Sequence, residues 1–243
     1  MVVTSWQFAI VEEIRFETYR VKTVVLRLPK WAQHIAGQYY DVRLTAPDGY
    51  QAQRSYSVGS APSKIGLIEF TIELIPDGEI SSYFFEVLKV GDKLEVRGPL
   101  GGPFTWSKSV SGPLLLIGGG TGIVPLMSIF RDKVESSPQL QIALLYSIRS
   151  EQDIIFADEL KLLNLLDANS KIHLTFTRIK PVLWEGDSKR IDLEMISGCL
   201  DFFQNIPNTY ICGSSNFVSS ISQLVIESNI PREMVRTERF YGN

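Results

Sequence analysis

Up to about Phe104 the apolar residues fall in short runs separated by polar turn clusters rather than at helical spacing. Six runs rich in Val, Ile, Thr, Tyr and Phe carry the pattern: residues 8–16, 20–28, 39–45, 53–58, 67–74 and 93–98. Such runs mark strands, and turn clusters such as Pro47-Asp48-Gly49 and Pro76-Asp77-Gly78 separate them. Six such strands predict a small closed antiparallel barrel. One short helix interrupts them at 83–88, with Ser81 or Ser82 as its cap, Lys89 in its last turn and Gly91 just beyond.

The pattern changes after the turn-rich exit Gly98-Pro99-Leu100-Gly101-Gly102-Pro103. Residues 114–117 are continuously apolar, as a strand covered on both faces requires. A glycine loop follows, then a helix with Leu126, Ile129, Phe130 and Val134 on one side. Strands at 141–146, 171–177 and 209–212 alternate with helices at 155–166 and about 216–227. Alternation of this kind predicts a parallel sheet with right-handed crossovers. The expected fold is thus a β-barrel domain over 1–108 and an α/β domain over 109–243.

Composition narrows the function classes. The 243 residues are 44% hydrophobic and 21% charged, ordinary globular values. A net charge of −3 with no basic stripe argues against nucleic acid. Two cysteines, Cys199 and Cys212, offer neither a disulfide framework nor the ligands of an iron–sulfur cluster. Met1-Val2-Val3-Thr4-Ser5 starts no signal peptide and no apolar run has membrane-spanning length, so a cytoplasmic protein without membrane insertion is expected. No His, Cys and carboxylate cluster has metal-ligand spacing, and His34 and His173 read as structural or surface residues.

Three stretches carry chemistry. In Arg54-Ser55-Tyr56-Ser57, a guanidinium fork suits a pyrophosphate, Tyr56 offers a flat ring two residues on, and Ser57 offers a hydroxyl. A half-exposed strand with surface side chains is the plain alternative. Gly118-Gly119-Gly120-Thr121-Gly122-Ile123-Val124-Pro125 joins a strand to a helix. There the backbone can approach an anion closely, and Pro125 suits the first helical turn. The ordinary dinucleotide spacing does not match, because its third glycine would fall at Ile123. Gly78-Glu79-Ile80-Ser81-Ser82 opens the short helix and is a second anion site by the same physics, or simply a capped helix.

In order along the chain, these stretches with Lys89-Val90-Gly91-Asp92, Gly98-Pro99 and Tyr210-Ile211-Cys212-Gly213 resemble the ferredoxin–NADP reductase-like flavoprotein family. The resemblance implies a flavin-binding Greek-key barrel followed by a nicotinamide-nucleotide domain. It implies that Arg54 holds the flavin pyrophosphate, with Ser55 in the same stretch. Tyr56 would lie against the isoalloxazine and Ser57 would reach its redox-active nitrogen. Ile72-Glu73-Leu74 would run beside the flavin, and Gly78 with Ile80-Ser81-Ser82 would meet the pyrophosphate. Gly119, Gly120, Thr121, Gly122 and Pro125 would serve the nicotinamide nucleotide, with Thr121 near both cofactors. Cys212, otherwise a small buried core residue, would sit with Gly213 beside the nicotinamide. Glu238 and Phe240 fit a carboxylate–aromatic pair near the flavin, although three residues follow Phe240 and a frayed tail is the competing reading. Ser57, Cys212 and Glu238 form the expected catalytic set.

The function implied is an FAD-dependent NAD(P)H oxidoreductase, FMN being the less favoured flavin. With no iron–sulfur module, electrons would leave to a separate ferredoxin or flavodoxin, or to an oxygenase component. A free-flavin reductase, a subunit active only inside a complex and a regulator without turnover are the alternatives. Arg149 after the second parallel strand, and Thr177-Arg178 ending the third, resemble a 2′-phosphate grip and favour NADPH over NADH, with Lys189-Arg190 adding charge.

Overall fold

A computed structural model of the chain describes residues 5–240. Residues 1–4, read above for a leader, and the three residues beyond Phe240 lie outside the described residues. The chain forms two compact units, one of Met1–Ser107 with Met127–Asp132, the other of Lys108–Leu126 with Lys133–Asn243.

The first unit contains β1 (Gln7–Thr18), β2 (Val21–Arg27), β3 (Tyr39–Thr45), β4 (Gln51–Ser57), β5 (Leu67–Glu73), α1 (Glu79–Glu86) and β6 (Lys93–Leu100). Its strands form one six-stranded sheet in the order β4-β3-β6-β1-β2-β5, every pair antiparallel. Val58, one residue beyond β4, forms an isolated bridge to Phe70 of β5, beside a 2.8 Å bond from the Gly59 N–H to the Glu69 carbonyl. Alternation directs Val24, Leu26, Tyr40, Val42, Ile68, Phe70 and Val96 into one core, with Phe84 of α1 among them.

Helix α1 starts earlier than its sequence suggests, with Gly78 rather than Ser81 or Ser82 at the cap. Ser81 lies inside the first turn, and its hydroxyl bonds back to the Gly78 and Ile75 carbonyls at 3.1 and 3.3 Å. A Cβ at position 78 would come within 2.5 Å of that oxygen, so a larger residue there would force the Ser81 hydroxyl to turn away. Lys89 falls beyond the last turn. Lys22 from β2 instead donates to the Phe85 carbonyl at 2.8 Å, satisfying one of the helix's terminal acceptors.

The second unit contains β7 (Leu114–Gly119), α2 (Ile123–Ser136), β8 (Ile142–Ile148), α3 (Ala157–Leu166), β9 (Ser170–Phe176), α4 (Leu193–Leu200), β10 (Asn208–Ser214), α5 (Ser215–Glu227) and β11 (Val235–Phe240). The sheet runs β11-β10-β7-β8-β9, all parallel. The middle of α2, Met127–Asp132, groups with the first unit. Two elements were not expected from the sequence, α4 and β11, and β11 turns the supposed polar tail into a sheet edge. Lys133 is fully buried and reaches Asp167 at 2.5 Å, where Ser170 also donates. No helix among the described residues is long and apolar enough to cross a membrane.

Candidate functional site

In the first unit, the β3–β4 register places Arg54 opposite Val42 and Tyr56 opposite Tyr40. Arg54 and Tyr56 therefore share a face, while Ser55 and Ser57 belong to the other. Ser55 donates to Asp41 at 2.7 Å, and Arg97 binds the same carboxylate at 2.6 Å. The Tyr56 ring packs against Phe70 and Phe84, with centroids 6.0 and 5.6 Å away, and this burial raises its phenol pKa. The contact with Phe84 brings the arginine–tyrosine strand beside α1.

Arg54 is exposed, and its one described bond runs to the Gln53 carbonyl at 2.9 Å. The first helical bond of α1 joins the Ser82 N–H to the Gly78 carbonyl, so the N–H groups of residues 79–81 precede it and face out of the helix start. Ile72, Ile80 and Ser57 are buried, and Glu73 pairs with Arg20 at 3.0 Å. The Leu74 N–H is held by the Arg20 carbonyl at 2.8 Å.

In the second unit the strand order reverses between β7 and β10, the place where open parallel sheets bind ligands at the strands' carboxyl ends. Those ends carry Gly118-Gly119 and Cys212-Gly213-Ser214. A short 3-10 turn, Gly120–Gly122, leads from β7 into α2, with Gly120 at φ +55°. Gly122 lies against β10 so closely that a Cβ there would meet the Cys212 carbonyl oxygen at 2.2 Å. The ring of Phe217 closes over both Gly119 and Gly213, where added Cβ atoms would meet it at 3.0 and 2.7 Å. Pro125 stands buried in the first turn of α2, and Ser214 caps α5 by accepting the Phe217 N–H at 3.4 Å. Two helix starts thus follow the two strands of the crevice.

The β10–β11 register sets Cys212 opposite Glu238 and Ser214 opposite Phe240. Burial first, and the Glu238 charge second, push the Cys212 thiol well above its ordinary pKa, so it stays a neutral thiol. Arg149 and Arg178 are joined through a 3.1 Å bond from the Arg178 N–H to the Arg149 carbonyl. Both side chains are exposed at the ends of β8 and β9, and no described acid pairs with either.

Residues 9–105 match the family model described as oxidoreductase FAD-binding domain, and residues 116–223 match that described as oxidoreductase NAD-binding domain. The chain belongs to the ferredoxin–NADP reductase-like family of FAD- and NAD(P)-binding oxidoreductases. A Ralstonia sp reductase component of naphthalene 1,2-dioxygenase/salicylate 5-hydroxylase systems is 30% identical over 231 residues, 92% of this chain. The chain spans 66% of that relative's length. Ferredoxin--NADP reductase B of Sorangium cellulosum is 29% identical, with 84% of both chains covered. A ferredoxin NADP+ reductase from Neisseria gonorrhoeae, solved with bound FAD and NADP, superposes with a TM-score of 0.81 at 20% identity, covering 97% of this chain and 99% of its own. At that identity the likeness is one of fold.

Some reductase-family expectations gain less from the geometry. The Thr177 hydroxyl donates to the Ile148 carbonyl at 3.0 Å, and Lys189 is neutralised by Asp192 and Glu194 at 2.6 and 3.2 Å. Phe217 escaped the sequence reading, and its only signal is an aromatic in the first turn after Gly213-Ser214-Ser215. His34 takes the structural of its two readings: it is buried, with its Nε2 3.1 Å from the Ser60 carbonyl, just downstream of Ser57. His173 pairs with Asp187 at 2.7 Å.

Proposed function

We propose that the chain is an FAD-dependent NAD(P)H oxidoreductase that passes electrons to a separate small redox protein, a ferredoxin or flavodoxin, or to an oxygenase component. The observation that carries this is the succession of an FAD-binding and an NAD-binding match along one chain. The chemistry that bound FAD would supply is acceptance of two electrons from NAD(P)H and their delivery one at a time to the acceptor.

The residues fit a dinucleotide. Arg54 and the outward N–H groups of the Gly78–Ser82 segment would together hold a pyrophosphate, which favours FAD over FMN. Tyr56 would support the isoalloxazine, Ile72-Glu73-Leu74 would line it, and the Ser57 hydroxyl would serve its reacting nitrogen. Gly119, Gly120, Thr121, Gly122 and Pro125 bring backbone against the nicotinamide nucleotide's phosphates. Cys212 and Gly213 form a neutral wall for the nicotinamide ring, which a thiolate would spoil. Glu238, opposite Cys212, would orient that wall, with Phe240 as the aromatic two residues on along the same strand. Arg149 and Arg178, unneutralised by acids, give NADPH its advantage over NADH.

The same reading closes the six-stranded sheet into a barrel through the Val58–Phe70 bridge, sets the domains at 1–108 and 109–243, and places the enzyme in the cytoplasm where NAD(P)H is made. Purified protein should be yellow, its flavin bands bleaching on anaerobic addition of NADPH, and heat should release FAD. Colourless protein that takes up no flavin on soaking would end this reading.

A further inference from the structure

Just beyond Ser57, two consecutive carbonyls are held by side chains from distant parts of the first unit. The Gly59 carbonyl accepts from Arg131 Nη1 at 2.7 Å. The Ser60 carbonyl accepts from Ser128 Oγ at 2.8 Å and from His34 Nε2 at 3.1 Å. Ser60, Ser128 and His34 are all at most 2% exposed. Glu69 closes the set: its carbonyl takes the Gly59 N–H at 2.8 Å, its own N–H reaches Ser60 Oγ at 3.2 Å, and its carboxylate binds Arg131 and Arg15 at 3.1 Å each. A carbonyl can only accept, so His34 carries its proton on Nε2, and its buried Nδ1 has no partner. Burial lowers the pKa of this ring and keeps it neutral in that tautomer.

Sheet pairing requires little of this. Val58 already bridges Phe70, and Gly59 is already tied to Glu69. Burying a serine and a histidine, and covering most of an arginine, to grip two further carbonyls is costly unless the segment's position matters. We propose that His34, Ser128 and Arg131 are positioning residues that fix the 57–60 segment and so set the Ser57 hydroxyl. This rests on the reading of Ser57 as the group facing the flavin. A reacting group displaced by about 1 Å can lose roughly a hundredfold in rate, so a clamp two residues away suffices to matter.

The test compares Ser128→Ala, Arg131→Met and the conservative Arg131→Lys, each in the wild-type and in the Ser57→Ala background. Exchange of the Gly59 amide is followed in flavin-free protein. Flavin reduction by NADPH and FAD affinity are measured on loaded protein. Ser128→Ala and Arg131→Met should speed Gly59 exchange and slow reduction by roughly tenfold or more while FAD affinity changes less than about threefold; Arg131→Lys should restore most of both. In the Ser57→Ala background the same substitutions should cost no further rate. Unchanged exchange and rate, or an equal loss without the Ser57 hydroxyl, would overturn the proposal. Should Arg131→Met fail to fold, Ser128→Ala decides. A wild type that binds no FAD defeats the functional reading instead, and Gly59 exchange still judges the clamp. If Ser57→Ala alone reduces at the wild-type rate, the role of Ser57 falls and the clamp's purpose with it.

Discussion

Alanine at position 122 would set a methyl carbon 2.2 Å from the Cys212 carbonyl oxygen, 2.5 Å from its carbon and 2.8 Å from the Gly213 Cα. All three are backbone atoms of β10, so no side chain can swing away. Relief requires β10 and the turn before α2 to separate at the crevice itself. Overpacking a rigid site costs up to about 3 kcal/mol. For a chain of this size that corresponds to a fall of about 6–12 °C in unfolding temperature. Gly120 supplies the control. A Cβ there meets nothing within 4 Å, but its φ of +55° costs an L-residue only about 1–2 kcal/mol. Thermal unfolding of flavin-free Gly122→Ala and Gly120→Ala, with NADPH affinity measured on both, separates clash from backbone strain. Gly122→Ala should be the less stable and the weaker binder. If it is as stable as Gly120→Ala, the close approach of the turn to β10 is not the constraint described.

Other outcomes follow from the same geometry. Arg178→Ala should lower catalytic efficiency with NADPH by well over roughly tenfold and leave NADH nearly untouched, because only the former carries the extra phosphate; steady-state kinetics with both donors checks this. His34 has a depressed folded pKa, so its contribution to stability is fully present above its unfolded value of about 6.5 and is lost as pH falls below it, at up to about 1.4 kcal/mol per pH unit. Urea midpoints across pH 5–7.5 should therefore fall more steeply in wild type than in His34→Asn. Burial raises the Asp167 carboxyl, but the Lys133, Ser170 and Asn169 hydrogen bonds outweigh it and the net shift is downward. Lys133→Ala removes the buried cation that pairs with that carboxylate and should destabilise by roughly 3 kcal/mol by denaturant titration, whereas Lys133→Met with Asp167→Leu should recover much of the loss.

The legible parts of the fold are those whose local pattern and tertiary role agree. The alternation of 39–45 and the unbroken Leu114–Ile117 run state directly which faces are covered. β11 was hidden because Val235–Phe240 interleaves three charges and lies at a sheet edge beside β10, a placement that only the rest of the sheet dictates. α4 was hidden because glycine and serine lower its propensity, while its Asp192 cap, bonded to the Met195 N–H at 3.1 Å, is a signal that could have been read. At the candidate site, glycine spacing announced the crevice, since close backbone approach demands that residue. The opposition of Cys212 and Glu238 was invisible, because it is created by strand register between segments with no shared motif. The division of Arg54 and Tyr56 from Ser55 and Ser57 by face was readable in principle from period two alone.

The strand order has a consequence for how the chain is made. β7 gains one neighbour soon after it is synthesised, when β8 pairs along Leu114–Gly119. Its other flank stays bare until Asn208–Cys212 emerges, because β10 is the strand that lies there. Throughout that interval the ribosome holds a nascent sheet whose most apolar strand exposes an open hydrogen-bonding edge, the template on which chains join one another. The crevice is then completed by late residues, so any stall or cleavage before position 208 leaves an adhesive fragment, and chaperone demand should be greatest in that window.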